Sequence, residues 1–292
     1  MRQRLCKLFF KNAPKGDLWE WKEEKRYKIS CIYVFYNNFK SLESSITCLA
    51  NQSLEKDDFE VVLIEDHGGS EKGGEILKKF DLNIQYFSPK QNWGYMGYMR
   101  NFGLSKALGE FVLFLDDDTV ILDKEFLKKL IEFFDKDKSI MAVIPKGNPS
   151  FCLLESRYGY HDPYFFTNRC AAYRKDCLIE MKGFDNSFIG QEDVEFAIRF
   201  LAKGYKYIKT DKLKYYHPPF LANLRKAQAV GYSFANSKYN LMLKLLLVLN
   251  GSRWMLRAIY PTFKNKNMAK FGFGFLLGFL KGLFGLKKPL YV

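Results

Sequence analysis

Between Lys212 and Val292 the chain has no Asp or Glu at all, although the same stretch carries 14 Lys and Arg. The whole sequence holds 46 basic and 32 acidic residues, so its net charge of +14 resides in the last 81 residues and the first 211 are electroneutral. Charge segregated in this way points to an anionic partner for the tail, either nucleic acid or an acidic lipid surface. The six cysteines (Cys6, Cys31, Cys48, Cys152, Cys170, Cys177) show no CxxC spacing and no compact framework. Reduced thiols in a cytosolic protein follow from that. Long apolar runs are missing too. In "FGFGFLLGFLKGLFGL" (271–286) the uninterrupted apolar stretch is ten residues, well short of the ~20 that span a bilayer. The basic start "MRQRLCKLFFKNAPKGDLWEW" has an apolar stretch too short for a signal peptide, so export is not expected. There is no internal repeat, no low-complexity tract and no nucleic-acid motif, which favours lipid over nucleic acid as the tail's partner.

What is present is apolar: 48% hydrophobic and 17% aromatic residues exclude disorder. A chain of 292 residues holds one large domain, or a domain with an appendage. "KISCIYVFYN" (28–37) reads as a buried strand, followed by a helix through "SLESSITCLANQS" with Leu42, Ile46 and Leu49 at helical spacing. "FEVVLIED" (59–66) and "NIQYFS" (83–88) read as further strands, with "GGEILKKF" a short helix between them. "MRNFGLSKAL" is a helix, "EFVLFLDDD" a strand, "KEFLKKLIEFF" an amphipathic helix and "SIMAVIP" (139–145) another strand. Residues 146–167 read as a mobile loop. Strand and helix alternating in this order predict an α/β fold with a doubly wound, mostly parallel sheet. Ligands of such sheets lie beyond the carboxyl ends of the strands, where "YN", "ED" and "DDD" all fall.

"GEFVLFLDDDTVI" (109–121) runs five apolar residues into three adjacent carboxylates. Like charges this close repel, and each resists leaving water. If strand geometry persists, Asp116 and Asp118 project together and Asp117 points away. Two carboxylates on one side make a hard-oxygen site suited to Mg²⁺ or Mn²⁺, and the cation relieves the repulsion. The competing reading is that the acids only end a strand and cap the following helix. "GYMGYMRNFG" lacks the glycine spacing of a dinucleotide loop, which excludes a Rossmann dehydrogenase.

Four pieces, "ISCIYVFYN", "FEVVLIEDHGGS", "NWGYMGYMRNFGLSKALGEFVLFLDDD" and "GFDNSFIGQEDVEFAIRFLAKGY", occur in this order over residues 28–217. Together they resemble the family-two glycosyltransferases of the GT-A fold. The resemblance implies an inverting enzyme that moves a sugar from a nucleotide-diphosphate sugar to a hydroxyl. Tyr36 matches an aromatic residue lining the base pocket. Asp66 matches the acidic residue that reads the base, and a carboxylate there suits an imide N–H of uracil or thymine, favouring a UDP-sugar. Arg100 lies in the segment that helps hold the nucleotide sugar. Asp116 and Asp118 match the DxD pair that contacts ribose and binds the metal, Asp117 joins the nucleotide-sugar-binding set, and His217 matches a further metal ligand. Asp193 matches the catalytic base, with Glu192 beside it at the acceptor site. One departure is that "EDHGGS" replaces the usual "DDGS", inserting His67 and Gly68.

These roles imply that a cation on Asp118 stabilises the departing nucleoside diphosphate while Asp193 takes the acceptor's proton. A single in-line displacement with inversion follows. The expected organisation is an N-terminal segment (1–27), a catalytic domain (28–220) and a basic, hydrophobic helical region (221–292). Within the last, 221–250 should form one long helix, and Gly274, Gly278 and Gly282 make a small-residue stripe suited to close helix packing. Basic, apolar, acid-free helices suit an anionic membrane interface; packing on the catalytic core, or a homo-oligomer, is the alternative. The expected setting is the cytoplasmic face of the membrane, with a glycan or lipid-linked acceptor in surface polysaccharide synthesis. A sugar nucleotidyltransferase and a non-catalytic sugar-nucleotide-binding scaffold are the rival readings.

Overall fold

A computed structural model of the chain describes residues 2–69, 71–150, 165–218, 223–252, 255 and 266–289. After a short helix α1 (Arg2–Phe9), the elements are β1 (Tyr27–Phe35), α2 (Phe39–Ala50), β2 (Phe59–Glu65), α3 (Glu71–Lys79), β3 (Ile84–Phe87), α4 (Met96–Lys106) and β4 (Gly109–Asp116). There follow α5 (Phe126–Lys136), β5 (Ile140–Pro149), β6 (Cys170–Arg174), α6 (Lys175–Glu180), α7 (Glu192–Lys203) and β7 (Lys206–His217). Helices α8 (Leu224–Asn236), α9 (Leu241–Ser252) and α10 (Lys266–Leu283) close the described chain.

The strands form one seven-stranded sheet in the order β3-β2-β1-β4-β6-β5-β7. β6 runs antiparallel to both of its neighbours, and the other pairings are parallel. Mostly parallel is therefore right, with one reversed strand that the sequence pattern did not mark. β1 and β2 are buried on both faces, which is why they read as continuous apolar runs rather than alternating ones. One face of β1, β2 and β4 contributes Ile32, Val34, Val62, Ile64, Val112 and Phe114 to a core shared with α4 and α7. The opposite face contributes Cys31, Tyr33, Leu63, Phe111 and Leu113 to a core with α2 and α5. There Phe111 stacks on Phe134 with ring centroids 4.4 Å apart.

Register decides where the site can be. Phe35 pairs with Glu65, and Val34 with Asp116, so β1, β2 and β4 end on the same edge of the sheet. The chain leaves β1 towards β2 and β3, then returns to its other side as β4. That reversal creates the crevice in which open α/β sheets bind ligands.

Two expectations are revised. The segment 146–167 is not wholly loop: β5 continues to Pro149, which pairs with His217 of β7, while 151–164 lie outside the described residues. The long helix over 221–250 is broken, because Ser237 takes an extended conformation after α8 and the Asn240 side chain accepts from the Leu243 N–H at 2.9 Å. That is an N-cap, and it starts a new helix. The glycine stripe of α10 lies along α8. A Cβ on Gly274 would come within 2.7 Å of the Ala227 Cβ, and one on Gly282 within 2.6 Å of the Ala235 Cβ. A Cβ on Gly278 would overlap the Gln228 carbonyl oxygen outright. Phe234, Leu243, Phe275 and Phe279 join the same core as β1 and α7, so these helices pack on the sheet-bearing body. Among the described residues no helix is long and apolar enough to cross a membrane.

Candidate active site

β4 stops at Asp116, and a turn carries Asp117 and Asp118. The turn is fastened: the Asp116 N–H donates to the Arg169 carbonyl (3.2 Å), and the Thr119 N–H to the Asp116 carbonyl (3.0 Å). Val120 and Tyr216 exchange backbone hydrogen bonds of 2.9 and 2.8 Å, which brings the end of β7 alongside the acidic triplet. His217 Nε2 consequently lies 3.3 Å from Asp116 Oδ2 and 3.0 Å from Asp118 Oδ1. Asp116 and Asp118 thus face one side, as expected, but through a turn rather than strand alternation. Asp117 is turned to Asn38, whose side chain hydrogen-bonds it.

The tautomer of His217 follows from its other nitrogen. Nδ1 is 2.6 Å from the Pro218 carbonyl, which can only accept, so Nδ1 carries the proton and Nε2 confronts the two carboxylates. A lone pair aimed at two anions is unfavourable unless a cation lies between them. Without a metal, that cation is a second proton: burial opposes it, but the adjacent Asp116 and Asp118 carboxylates outweigh burial and push His217 up to about 9. Asp116 is the counterpart: burial would raise it, yet His217 and the Arg100 charge hold it well below the usual carboxylate range. Burial and the charges of Asp118 and Asp116 push Asp117 up to about 7. Asp118 Oδ1 is buried and receives no well-directed hydrogen bond. One oxygen from each of Asp116 and Asp118 and a nitrogen of His217 lie within 4.8 Å of one another, so this group could hold a metal ion. Two carboxylates and a neutral imidazole oriented by a carbonyl suit Mn²⁺ or Mg²⁺.

The second half of the site comes from α4 and α7. Arg100 on α4 is 4% exposed; its Nε donates to Glu192 Oε1 at 2.6 Å and its Nη2 to Asp116 Oδ1 at 3.0 Å. A guanidinium this buried requires anionic partners, and it ties the acidic turn to the start of α7. The resemblance put Arg100 among the residues near the nucleotide sugar; in the structure its donors are committed to these two carboxylates, with Nη1 left unpartnered. Glu192 is 2% exposed, and burial and the Asp193 charge push it up to about 7 against the pull of Arg100. Asp193 accepts from the Asn168 N–H (3.0 Å) and the Val194 N–H (2.7 Å) and is less covered than Glu192. Burial raises its carboxyl, with Arg100 opposing. Glu192, Asp193 and Glu195 meet the positive end of the α7 dipole. Gln191, just before them, holds a left-handed conformation (φ 57°), a strained arrangement of the kind functional sites retain. Gly97 permits the approach of α4 to the loop before α7: its N–H reaches the Phe188 carbonyl at 3.1 Å, and any Cβ would overlap the Asp185 carbonyl.

The third part lies at the ends of β1 and β2. Asp66 is nearly covered, and both its oxygens lie 3.0 Å from the Gly94 N–H. Burial is the main cause of its raised carboxyl. His67 (φ 53°), the inserted residue, sits between two half-exposed rings, 4.9 Å from Tyr36 and 5.4 Å from Trp93 between centroids. Its Nδ1 is 3.1 Å from Asp66 Oδ1. The structure therefore gathers Arg100, Asp116, Asp118, Glu192, Asp193 and His217 in one network, and Tyr36 and Asp66 in a neighbouring aromatic cluster. Sequence reasoning marked His67 only as an insertion, without a role, and missed Trp93 and Asn168. Trp93 stood in the quoted "NWG", flanked by turn residues, and that was the available signal; Asn168 acts through its backbone, which leaves no mark in a sequence.

Comparison with known proteins bears on the fold and the family. TarS of Staphylococcus aureus (strain Mu50), a poly(ribitol-phosphate) beta-N-acetylglucosaminyltransferase, is 36% identical over 119 residues, 40% of this chain and 20% of TarS. The uncharacterized glycosyltransferase MJ1057 of Methanocaldococcus jannaschii is 25% identical over 226 residues, 70% of this chain and 77% of MJ1057. GgaB of Bacillus subtilis, a minor teichoic acid biosynthesis protein, is 26% identical over 212 residues, 65% of this chain and 23% of GgaB. The match thus spans about a fifth of TarS. Among solved structures, TarS 1–349 in complex with UDP-GlcNAc superposes with a TM-score of 0.55 at 22% identity, covering 74% of this chain and 69% of that one. The mannosyltransferase PcManGT from Pyrobaculum calidifontis, in complex with GDP-Man and Mn²⁺, gives 0.63 at 15% identity over 98% and 96%. These likenesses show the mixed α/β fold of the GT-A glycosyltransferases. Residues 30–180 match the family model described as Glycosyl transferase family 2. That match takes in the three strands whose ends carry Tyr36, Asp66 and Asp116 and covers more than half of the chain, so the protein belongs to glycosyl transferase family 2.

Proposed function

We propose that the chain is an inverting, metal-dependent glycosyltransferase that takes a nucleotide-diphosphate sugar, with UDP as the favoured nucleotide. The observation that carries this reading is the Arg100 bridge. One guanidinium holds a carboxylate of the acidic turn and the residue next to the candidate base, so both halves of a transfer site are fixed relative to each other. Asp116, Asp118 and His217 would hold Mn²⁺ or Mg²⁺. Such a cation supplies positive charge for the diphosphate that leaves. Asp193, set by two backbone N–H groups, accepts the proton of the acceptor hydroxyl. Asp66 takes an imide N–H of the base, and Tyr36 offers its ring beside it.

The acceptor is a glycan or lipid-linked glycan, and the protein works at the cytoplasmic face of the membrane as a peripheral protein in surface polysaccharide synthesis. The names of TarS and GgaB, which concern poly(ribitol-phosphate) and teichoic acid, support that setting. So does the acid-free basic tail, with its exposed Leu241, Leu249 and Phe284. A donor screen tests the reading: UDP-, GDP- and dTDP-sugars with manganese, scored by thermal stabilisation and then by released product. UDP-sugars should stabilise the protein only with the metal, and turnover should release UDP. Formation of a nucleoside triphosphate and a sugar 1-phosphate from the NDP-sugar and added pyrophosphate would identify a nucleotidyltransferase, and metal-independent binding without turnover a scaffold.

A further inference from the structure

The tail is not the only acid-free part of the chain. The first carboxylate is Asp17, and before it stand Arg2, Arg4, Lys7, Lys11 and Lys15. The two acid-free ends, almost the whole sequence apart, meet in the fold. The Phe10 ring, just after α1, packs edge-on against Tyr239, just before α9, at 5.9 Å. Asp17 pairs with Lys238. Cys6 and Phe10 enter the same core as Leu243 and Leu247 of α9. Each helix is thus anchored by one face, and what it presents on the other can be read directly.

That other face is apolar in both. Leu5, Leu8 and Phe9 recur at i, i+3 and i+4 on the outside of α1, with Leu8 71% exposed. Leu241, Met242, Leu245 and Leu249 recur at i, i+1, i+4 and i+8 on the outside of α9, with Leu249 64% exposed. Scattered exposed leucines need no explanation, but two neighbouring helices each presenting a Leu-rich stripe do. Within the two helices the charges are of one sign: Arg2, Arg4 and Lys7 on α1, Lys244 on α9, and no carboxylate in either, Asp17 beside them being matched by Lys238. An apolar stripe on a helix whose own charges are all cationic matches the boundary between acyl chains and anionic headgroups, into which such helices settle lengthwise.

We propose that α1 and α9 form one composite docking face for an anionic lipid bilayer, to which the N-terminal helix contributes as a distinct binding element. This rests on the membrane setting proposed above and extends it to a segment outside the tail. It gives the chain two contact points, and two weak membrane signals are what stable peripheral binding needs. α1 also packs on α7, the helix that begins with Glu192 and Asp193. The docking face is therefore one helix removed from the candidate base.

The test uses the full chain and sedimentation with vesicles of equal parts phosphatidylglycerol and phosphatidylcholine, or of phosphatidylcholine alone. The wild type should bind the anionic vesicles only. Leu5→Glu/Leu8→Glu should lower its partition by at least about tenfold, as should Leu245→Glu/Leu249→Glu, while thermal stabilisation by UDP-sugar and manganese stays unchanged. Arg4→Gln/Lys7→Gln, a milder surface change, should weaken binding to anionic vesicles and leave a residue insensitive to about 0.5 M salt. If the wild type ignores both vesicles, the membrane setting itself fails. If the wild type binds and both α1 variants bind equally well, the setting survives and the inference is overturned. An α1 variant that abolishes a dimer while keeping full vesicle binding would also overturn it, by assigning this face to a second copy.

Discussion

Replacing Arg100 with methionine removes the charge on which both halves of the site depend and keeps most of the side chain's volume. The guanidinium is 4% exposed and lies 2.6 Å from Glu192 and 3.0 Å from Asp116. Breaking a buried pair by deleting one partner costs about 3–5 kcal/mol, because the remaining charge is left desolvated. At roughly 2–4 °C per kcal/mol for a chain of this size, the melting temperature should fall by on the order of 10 °C at pH 8. The loss should depend on pH with a definite sign. Burial and Asp193 already push Glu192 up to about 7 in the folded protein, above its ordinary 4.5. A group raised in this way favours folding fully below its unfolded value, and that contribution is lost as pH rises through the folded value. Removing Arg100 raises Glu192 further, so the variant keeps a proton where the wild type has released it. The deficit should therefore be largest at pH 8 and shrink towards pH 6. Thermal melts of wild type and Arg100→Met across this range measure it. Adding Glu192→Gln to Arg100→Met should recover about half of the deficit, since an amide needs no counter-charge. A deficit below about 1 kcal/mol at pH 8, or one flat with pH, would refute the account of Arg100 as the bridge.

Four further outcomes follow from the geometry. Asp193→Asn should lower transfer by about 10²–10⁴-fold while UDP-sugar binding, followed by calorimetry, stays within a factor of two or so of wild type. His217→Ala should weaken manganese binding, read by electron paramagnetic resonance of the free ion, by at least about tenfold, given that outer-shell changes alone cost roughly 10–100-fold. Gly278→Leu should cost about 1–3 kcal/mol or more in a denaturant melt, because its Cβ would overlap the Gln228 carbonyl, whereas Gly74→Ala in α3, with open space around it, should gain up to about 1 kcal/mol.

Which parts of this fold could be read from the sequence follows from the range of the interactions involved. β1, β2 and β4 were legible because burial on both faces imposes short apolar runs, and their β-branched and aromatic residues between turn signals mark those runs as strands rather than helix. Their polar ends were legible for the same reason: Asp66 and Asp116 stand out where the apolar run stops. The break between α8 and α9 was not, because a continuous apolar period hides a four-residue interruption whose cause is one side-chain cap at Asn240. Strand β6 was hidden for another reason: "CAAYR" is small and short, and only its place between β4 and β5 makes it a strand. At the site, residue types announced the carboxylates but not their partners. Nothing local says that Arg100 must reach Glu192, 92 positions later, or that the Asn168 N–H must point at Asp193.

The long-range contacts share a physical logic that the sequence states only as a surplus of charge. Asp116, Asp117, Asp118, Glu192 and Asp193 put five carboxylates where the sheet ends, and of the surrounding cations Arg100 and His217 bind them directly. Arg100 spends its donors between the two acidic elements, leaving His217 to face Asp116 and Asp118. An imidazole whose Nδ1–H donates to the Pro218 carbonyl can neutralise that pair only by taking a second proton, on Nε2. A metal ion there would release that proton and carry twice its charge, which is the better match for two carboxylates. The ordering of charges thus suits a divalent cation beside the proposed base, whose carboxylate backbone N–H groups already fix, and in the proposed reaction the Arg100 bridge would keep the two from drifting apart.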